Sequence, residues 1–534
     1  MRLASLFHEF PLPVYTPVPD VPIAGLVLDS RRVQPGDLFI AVSGGSADGH
    51  HYIPDAITRG AAAIVGMQPV DGLAVPYIQV SDSRQALAFL AAAWHDFPAR
   101  KLTIIGVTGT DGKTTTTSLI FNILRAAGIR AGMISTVSAV IGERELDTGF
   151  HVTTPDAPDV QRYLAEMVSA GLTHAVLETT SHGLAQYRVD ACNFAVAAVT
   201  NITHEHLNFH GSYEAYRAAK ARLFEMLPSS GCAILNRDDS SYEFLAAVCS
   251  QRPMIGYGFH PEAHLRPLSI THTPGGLRFI VTGAGQHFPL ESPLVGDFNI
   301  SNILAAVGVT VCALGVSIEA ARQGIATLRG VPGRMERIDL GQDFTAIVDF
   351  AHTPNALRVA LETVRKVIST RSGPVQEGAG VKTAGRVLAV FGSAGARDVT
   401  KRRMMAEVSA ELADISILTA EDPRSESLEG ILAEMAAGAE SRGGVEGKTF
   451  YRMPDRGEAI RFAVSLARPG DVVIACGKGH EQSMCFGDTE YPWDDRVAMR
   501  AALSKLLGIS GPQMPYLPTM GSLSTPRAVT KSPD

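Results

Sequence analysis

One stretch restricts the fold more than any other: Ile104-Ile105-Gly106-Val107-Thr108-Gly109-Thr110-Asp111-Gly112-Lys113-Thr114-Thr115-Thr116. A short apolar run enters a glycine-rich turn and leaves it as a helix, expected over Thr114 to Ala126. Strand, loop and helix in that order are the setting a phosphate-binding loop requires. Glycines let the backbone close around an anion so that successive N–H groups converge on it. The helix then brings its positive dipole end to the same point. Gly109, Thr110, Gly112 and Thr115 fall in the cradle. Lys113 can neutralise the β- and γ-phosphates, and the Thr114 hydroxyl can hold Mg²⁺. The spacing is a variant, G-x-x-G-T-x-G-K-T from Gly106, with Val107 where the usual pattern has its first glycine. Nucleotide binding follows.

The chain around this loop is too long for one core: 534 residues predict several domains. An apolar share of 46% with 19% charged residues fits a soluble globular enzyme, and a formal charge of −7 argues against nucleic acid as a partner. Six cysteines are scattered without a C-x-x-C pair, which fits reduced thiols in a cytoplasmic protein. Met1 to Pro13 lacks the apolar run of a signal peptide, and no stretch is long enough to span a bilayer, so no membrane role is expected.

Gly25 to Pro98 reads as a small α/β unit, with Asp29-Ser30-Arg31 at a strand end. Read alone, that tripeptide is a solvated turn. From Leu102, strands and helices alternate as in a mostly parallel doubly wound sheet, with strands at Thr103–Val107, Ala131–Ser135, His174–Leu177 and Phe194–Val199. His264 to Leu290 reads as a β meander, and Asn299–Ala313 and Ile318–Leu328 as helices. Gly330 to Arg334 marks a boundary, beyond which a second alternating pattern begins. Its strands are Thr345–Phe350, Arg386–Phe391, Ile415–Thr419 and Val472–Cys476. Thr370 to Ala384 is expected to be a mobile loop and Ser510 to Asp534 a disordered tail.

Polar clusters follow several of these strands, where open α/β sheets bind ligands. His174-Ala175-Val176-Leu177-Glu178 is an apolar strand ending in a carboxylate, placed to serve a magnesium ion. His204, His206 and His210 follow another strand. Their spacing fits no common structural zinc site, and one of them serving Mg²⁺ is the better reading. On the helix from Tyr213 to Leu227, Lys220 falls on the apolar face with Tyr216, Leu223 and Phe224. Either it snorkels to the surface, or its amine is neutralised and used. Asn299 and Asn302 stand three apart at a helix start and suit a base edge or the helix cap. Asp349 to Asn355, Gly392 to Asp398 with Arg397, Glu421-Asp422-Pro423-Arg424, and Gly477-Lys478-Gly479-His480-Glu481 line a predicted crevice facing the nucleotide unit.

Taken together, these motifs resemble the muramyl-peptide (Mur) ligases, most of all the MurE type, over roughly residues 25 to 508. The carriers are Gly109 to Thr114, Leu177 to Gly183, His204 to Gly211, Ala219-Lys220, Gly296 to Asn302, Gly333 to Glu336 and Asp349 to Pro354. The resemblance implies an ATP-dependent amide ligase of three α/β domains. Residues 1–100 would form a small UDP-binding domain, 101–332 the central P-loop ATPase domain, and 333–509 a Rossmann-like domain for the incoming amino acid. By resemblance, Thr114, Glu178, His206 and a carbamylated Lys220 hold Mg²⁺, with Lys113, Glu178, His206 and Lys220 the catalytic set. Asn299, Asn302, Arg334 and Asp349 match nucleotide contacts; Ser30 lies near uridine; Thr153, Thr154, Ser181 and Arg188 match muramyl-dipeptide contacts. Arg397, Glu421, Asp422, Arg424, Gly477 and Glu481 face the amino acid. The implied partners are UDP-N-acetylmuramoyl-L-Ala-D-Glu and a free diamino acid, acted on by a monomer. Relatives that add diaminopimelate usually carry Asp-Asn-Pro-Arg where this chain has Glu421-Asp422-Pro423-Arg424. Arg424 suits a distal carboxylate, whereas Asp422 suits the plain ammonium of lysine or ornithine, and the reading leans slightly towards the latter. A folate polyglutamate ligase, which should lack the Asp29-Ser30-Arg31 unit, and a nucleotide sensor without catalysis are the competing readings.

Overall fold

A computed structural model describes residues 1–44, 48–146, 153–203, 207–273, 276–283, 285–371, 385–519 and 529–530. The Thr103–Thr108 strand organises the middle of the chain. Its side chains alternate between two faces, as a pleated strand dictates. Ile105 and Val107 pack with Leu119, Ile120 and Ile123 of the Lys113–Ala126 helix and with Ile300, Ile303 and Leu304 of the Asp297–Val307 helix. Ile104 packs on the other side with Leu164, Tyr216, Leu223 and Phe224. Both faces of the sheet are therefore covered, which is why its strands read as continuous apolar runs.

Among the described residues this sheet has eight strands, ordered Met254–Tyr257, Cys232–Asn236, Phe194–Val199, Thr103–Thr108, His174–Glu178, Ala131–Ile134, Ala139–Ile141 and Arg144–Leu146. The first six run parallel. The last two form an antiparallel hairpin edge, closed by the tight turn between Ile141 and Arg144, so the sheet is mostly parallel as expected. Because Thr103–Thr108 lies between the later strands Phe194–Val199 and His174–Glu178, strand order reverses at its carboxyl end. A crevice opens at such a point. The meander is a three-stranded antiparallel sheet, Arg266–Thr273, Gly276–Gly283 and Gln286–Ser292. The helix expected to reach Ala313 ends at Val307 and continues as a π-helical turn, Gly308–Ala313, in which Thr310 Oγ1 bonds back to Ala306 O at 2.7 Å.

Residues before this sheet carry a four-stranded parallel sheet, Leu26–Val27, Leu38–Ile40, Ala63–Gly66 and Tyr77–Gln79. Residues after it carry a six-stranded sheet, ordered Glu336–Ile338, Thr345–Asp349, Val472–Cys476, Val387–Phe391, Ile415–Leu418 and Phe450–Arg452. Only its first pair is antiparallel. Residues 372–384 of the expected mobile loop lie outside the described residues; the preceding helix runs from Pro354 to Arg371. Of the tail expected to be disordered, residues 520–528 and 531–534 lie outside the described residues, and the described stretch 510–519 is docked rather than free. Leu517 is fully buried, Met514 packs on the last core, and Thr519 Oγ1 donates to Asp455 at 2.8 Å. Val529–Thr530 adds a strand beside Thr489–Pro492. A few well-placed apolar residues dock a segment that composition alone marks as unstructured.

Candidate active site

The loop between Thr108 and Lys113 is held from outside. Thr110 N–H donates to Asn201 O at 2.7 Å, Asp111 N–H to Asn201 Oδ1 at 2.9 Å, and Thr203 N–H to Thr110 Oγ1 at 2.9 Å. Gly112 caps the helix in the left-handed region at φ 84°, and a Cβ there would lie 2.3 Å from Asn302 Oδ1. Both the backbone angle and the close Asn302 side chain favour glycine in that turn. Thr116 N–H donates to Gly112 O at 2.9 Å, so helical bonding starts there and the turn before it forms the helix N-terminus, the kind of place that suits an anion. Lys113 Nζ donates to Thr110 O at 2.8 Å, folded across its own loop.

Oxygen donors gather beside it. Thr114 Oγ1 donates to Glu178 Oε1 at 3.0 Å, and Thr136 N–H donates to Glu178 Oε2 at 2.9 Å. Glu178 is buried at its strand end. Lys220 is 1% exposed, donates to Gly109 O at 2.5 Å and sits 4.6 Å from the Tyr216 ring centre. The snorkelling alternative for Lys220 is thereby excluded: its amine ends under the phosphate loop. His206 lies outside the described residues. Among the described residues no group of three His, Cys, Asp or Glu could hold a metal by itself. A pair of hard oxygens beside a phosphate loop fits Mg²⁺, which keeps several waters and completes its shell on phosphate oxygens. Nearby, His182 is pushed down to about 4, first by burial and then by the charges of His210, Arg397, Arg188 and Lys220.

A cavity of about 490 Å³ connects this loop to the last sheet. Thr110 to Thr115, Thr136, Thr153 and Glu178 form one wall; Arg334, Asp349, His352, His480 and Glu481 form the other. The two walls touch where Arg334 Nη2 reaches Thr114 Oγ1 at 3.4 Å, its guanidinium lying 4.2 Å over the Phe350 ring. Gly333, at φ 64°, lets this happen: a Cβ on it would lie 2.1 Å from His480 N. Asn299 and Asn302 line the cavity, but Asn299 Nδ2 also donates to Val295 O at 2.8 Å and Asn302 Nδ2 to Asn299 Oδ1 at 3.0 Å. Asp349 accepts from Met335 N–H at 2.6 Å and Ala351 N–H at 2.8 Å, and burial raises its carboxyl although Arg334 opposes that.

Other predicted contacts stand around this centre at different depths. Thr154 Oγ1 donates to Glu178 O at 3.1 Å, Arg188 Nη1 donates to Thr154 O at 2.6 Å, and Ser181 starts the short helix Ser181–Ala185. Ser30 opens a 3₁₀ turn capped by Asp29 in the first sheet's unit, away from the cavity. Of the amino-acid residues, Glu481 lines the cavity whereas Arg397, Glu421, Asp422, Arg424 and Gly477 do not. Gly395 N–H donates to Asp422 O at 3.0 Å, tying the Arg397 loop to the Arg424 loop. Neither arginine has a carboxylate partner among the described residues; Arg424 makes a 3.5 Å contact to Gly395 O.

Asp422 departs from its expected role. Both its oxygens accept from Lys478 Nζ at 3.0 Å, and Oδ1 also accepts from Cys485 N–H at 2.9 Å. A carboxylate so satisfied does not await a substrate ammonium, and the lean towards lysine or ornithine loses its basis. Glu421 is buried with Oε2 unpartnered, and burial raises its carboxyl. Sequence reasoning quoted Lys478 only as part of a motif and did not single out Arg456. Arg456 donates to Ala420 O at 3.2 Å and Cys476 O at 2.7 Å, bracing both loops from behind. Thr136 and Asn201 were likewise unmarked as cradle supports, since each acts through backbone or amide groups that no periodicity reveals.

Three family descriptions match in sequence: "Mur ligase family, catalytic domain" over residues 22–95, "Mur ligase middle domain" over 107–310, and "Mur ligase, glutamate ligase domain" over 333–479. A UDP-N-acetylmuramyl-tripeptide synthetase of Roseiflexus sp. (strain RS-1) is 44% identical over 521 residues, covering 95% of this chain and 99% of the relative. A UDP-N-acetylmuramoyl-L-alanyl-D-glutamate–2,6-diaminopimelate ligase of Gloeobacter violaceus is 44% identical over 509 residues, covering 95% and 98%. Among solved structures, one of a UDP-N-acetylmuramoyl-L-alanyl-D-glutamate–2,6-diaminopimelate ligase aligns with TM-score 0.65 at 30% identity, covering 95% of this chain and 99% of that one.

Proposed function

The chain belongs to the Mur ligase family, and from that membership we infer an ATP-dependent amide ligase that adds the third, diamino residue to UDP-N-acetylmuramoyl-L-Ala-D-Glu in peptidoglycan synthesis. The observation that carries the reading is the shared cavity. It joins a phosphate loop and a buried carboxylate on one wall to Glu481 and the strand ends of the last sheet on the other.

In this reading the Gly109-to-Thr115 amides hold the ATP phosphates, and Lys113 swings from Thr110 O to the γ-phosphate. The D-Glu side carboxylate attacks the γ-phosphorus; the bond to the bridging oxygen breaks, releasing ADP and leaving an acyl phosphate. The free amine then attacks the acyl carbon, phosphate leaves, and the amine sheds a proton. Two anions must meet in the first step, so positive charge beside the phosphates supplies the main rate gain. Thr114 and Glu178 would hold Mg²⁺, with His206 the third side chain assigned by resemblance. When bound, Mg²⁺ neutralises phosphate oxygens and helps fix them for in-line attack. Lys220 would carry a carbamate; this replaces a buried ammonium by an anion suited to the metal region while one N–H still serves Gly109 O. Carbon-13 spectra of protein given labelled bicarbonate should show one carbamate signal, absent in Lys220→Ala.

Arg397 and Arg424, together with the occupied Asp422, favour a third residue with a second carboxylate, hence diaminopimelate. No helix among the described residues is long and apolar enough to cross a membrane. We place the work in the cytoplasm, where ATP and UDP-linked precursors meet. The test is amino-acid-dependent phosphate release with UDP-N-acetylmuramoyl-L-Ala-D-Glu. Release with diaminopimelate, and little with lysine or ornithine, is expected; release with no amino acid would overturn the assignment.

A further inference from the structure

Behind Glu481 lies a buried cluster with no role in the chemistry above. Lys478 is completely buried, and its ammonium contacts Asp422 at 3.0 Å and Glu481 more closely still. Burial alone would push this lysine down; Glu481 and Asp422 outweigh burial and hold it above its ordinary range, so the cation persists. Asp422 and Arg424 both sit in the left-handed region, at φ 42° and 52°, which non-glycine residues adopt only where their surroundings impose it. What imposes it here is visible: Asp422 is fastened by Lys478 and by Cys485 N–H, while Arg424 N–H donates to Cys485 O at 3.1 Å. The bend therefore directs the Asp422 carboxylate inward, to Lys478.

The charge pattern has a consequence for selectivity. Three cations, Arg397, Arg424 and Lys478, face two carboxylates, Asp422 and Glu481, at the amino-acid end, while the third acid of these loops, Glu421, is buried behind Gly477 and lines no part of the cavity. An incoming side chain that ends in an ammonium alone meets net positive charge, because the acids that would bind it already hold an internal ammonium. A side chain that ends in both ammonium and carboxylate meets two arginines that have no carboxylate ion-pair partner among the described residues. Like charges brought together in such a site are strongly disfavoured.

We propose that Lys478 is a specificity-determining residue: an internal ammonium that occupies Asp422 and Glu481 and so bars lysine and ornithine from the third-residue site. This rests on the ligase reading above and names the part of the fold that decides its substrate. Lys478 touches no reacting atom; it positions Glu481 and sets the sign of the local field.

The experiment measures kcat and KM for meso-diaminopimelate, L-lysine and L-ornithine with the full-length protein, at saturating ATP and UDP-N-acetylmuramoyl-L-Ala-D-Glu. Wild type should prefer diaminopimelate. In Lys478→Met, the preference for diaminopimelate over lysine should fall at least about tenfold, chiefly through KM for the amino acids. KM for ATP should hold within about twofold, because the triphosphate end shares no partner with this cluster. Lys478→Arg should keep the preference. Should Lys478→Met fail to fold with Asp422 left unpaired, the double variant Asp422→Asn/Lys478→Met removes both charges and should show the same fall. A folded Lys478 variant with unchanged preference, or one that loses all three amino acids equally, overturns the selector alone. A wild type that prefers lysine overturns both the selector and the diaminopimelate reading.

Discussion

Replacing Arg456 by methionine should unfold the last domain more readily than any surface change could. Arg456 and Asp495 are both 0% exposed and joined by bonds of 2.7 and 2.6 Å. The same guanidinium donates to Ala420 O and Cys476 O, the residues before Glu421 and Gly477. Methionine fills much of the volume but leaves the Asp495 carboxylate buried, with Trp493 Nε1 at 2.8 Å as its remaining side-chain donor. Stranding one partner of a buried ion pair costs about 3–5 kcal/mol. For a domain of this size each kcal/mol lowers the midpoint by about 2–4 °C, so a fall of about 6–20 °C is expected. The chain holds two tryptophans, Trp94 in the first unit and Trp493 beside the pair. Trp493 fluorescence in a Trp94→Phe background therefore follows this domain alone. Arg456→Met/Asp495→Leu removes both charges and should recover most of the loss, since an apolar replacement of a buried pair is often near neutral. A shift below about 1 kcal/mol for the single variant, or equal loss in single and double, would refute the reasoning.

Lys113→Ala should lower acyl-phosphate formation by at least about 10²-fold while the melting curve stays put, because the bond Lys113 makes among the described residues is one across its own loop; near-normal ADP release would sink the phosphate-loop assignment. His480 is buried and pushed down to about 3, by burial first and Arg334 second, so it is neutral when folded and binds its proton more readily when unfolded. Its contribution to stability is complete above the ordinary histidine range and is lost as pH falls from about 6.5 towards 3, with a slope approaching about 1.4 kcal/mol per pH unit. Melting from pH 7 to pH 4.5 should show a shallower decline in His480→Gln than in wild type, and identical declines would remove His480 as the cause.

Much of the candidate site's geometry could be read from local pattern because local physics made it. Glycines at 109 and 112, an apolar run before them and a helix after them need no distant partner to declare a phosphate cradle. Glu178 was legible for the same reason, as a polar end on an apolar strand. Pairing across the chain was not. Asp422 and Lys478 are 56 residues apart, and Arg456 and Asp495 are 39 apart. Nothing in the periodicity of either segment announces its counter-ion, so Asp422 read as an available acid when it was already engaged. The tail misled in the opposite sense: its composition is poor in apolar residues, yet Leu517 finds a socket in a core built by other segments.

Arg334 reaching Thr114 from the opposing sheet means that the reactive centre exists only while two bodies of the chain stay apposed. A mixed anhydride is open to attack by water as well as by the intended amine, and apposition governs how much water reaches it. The stoichiometry of nucleotide consumed per bond formed is therefore a mechanical property, written into how tightly those bodies hold together during the lifetime of the anhydride. Changes that loosen their contact should leak phosphate without product long before they slow the enzyme.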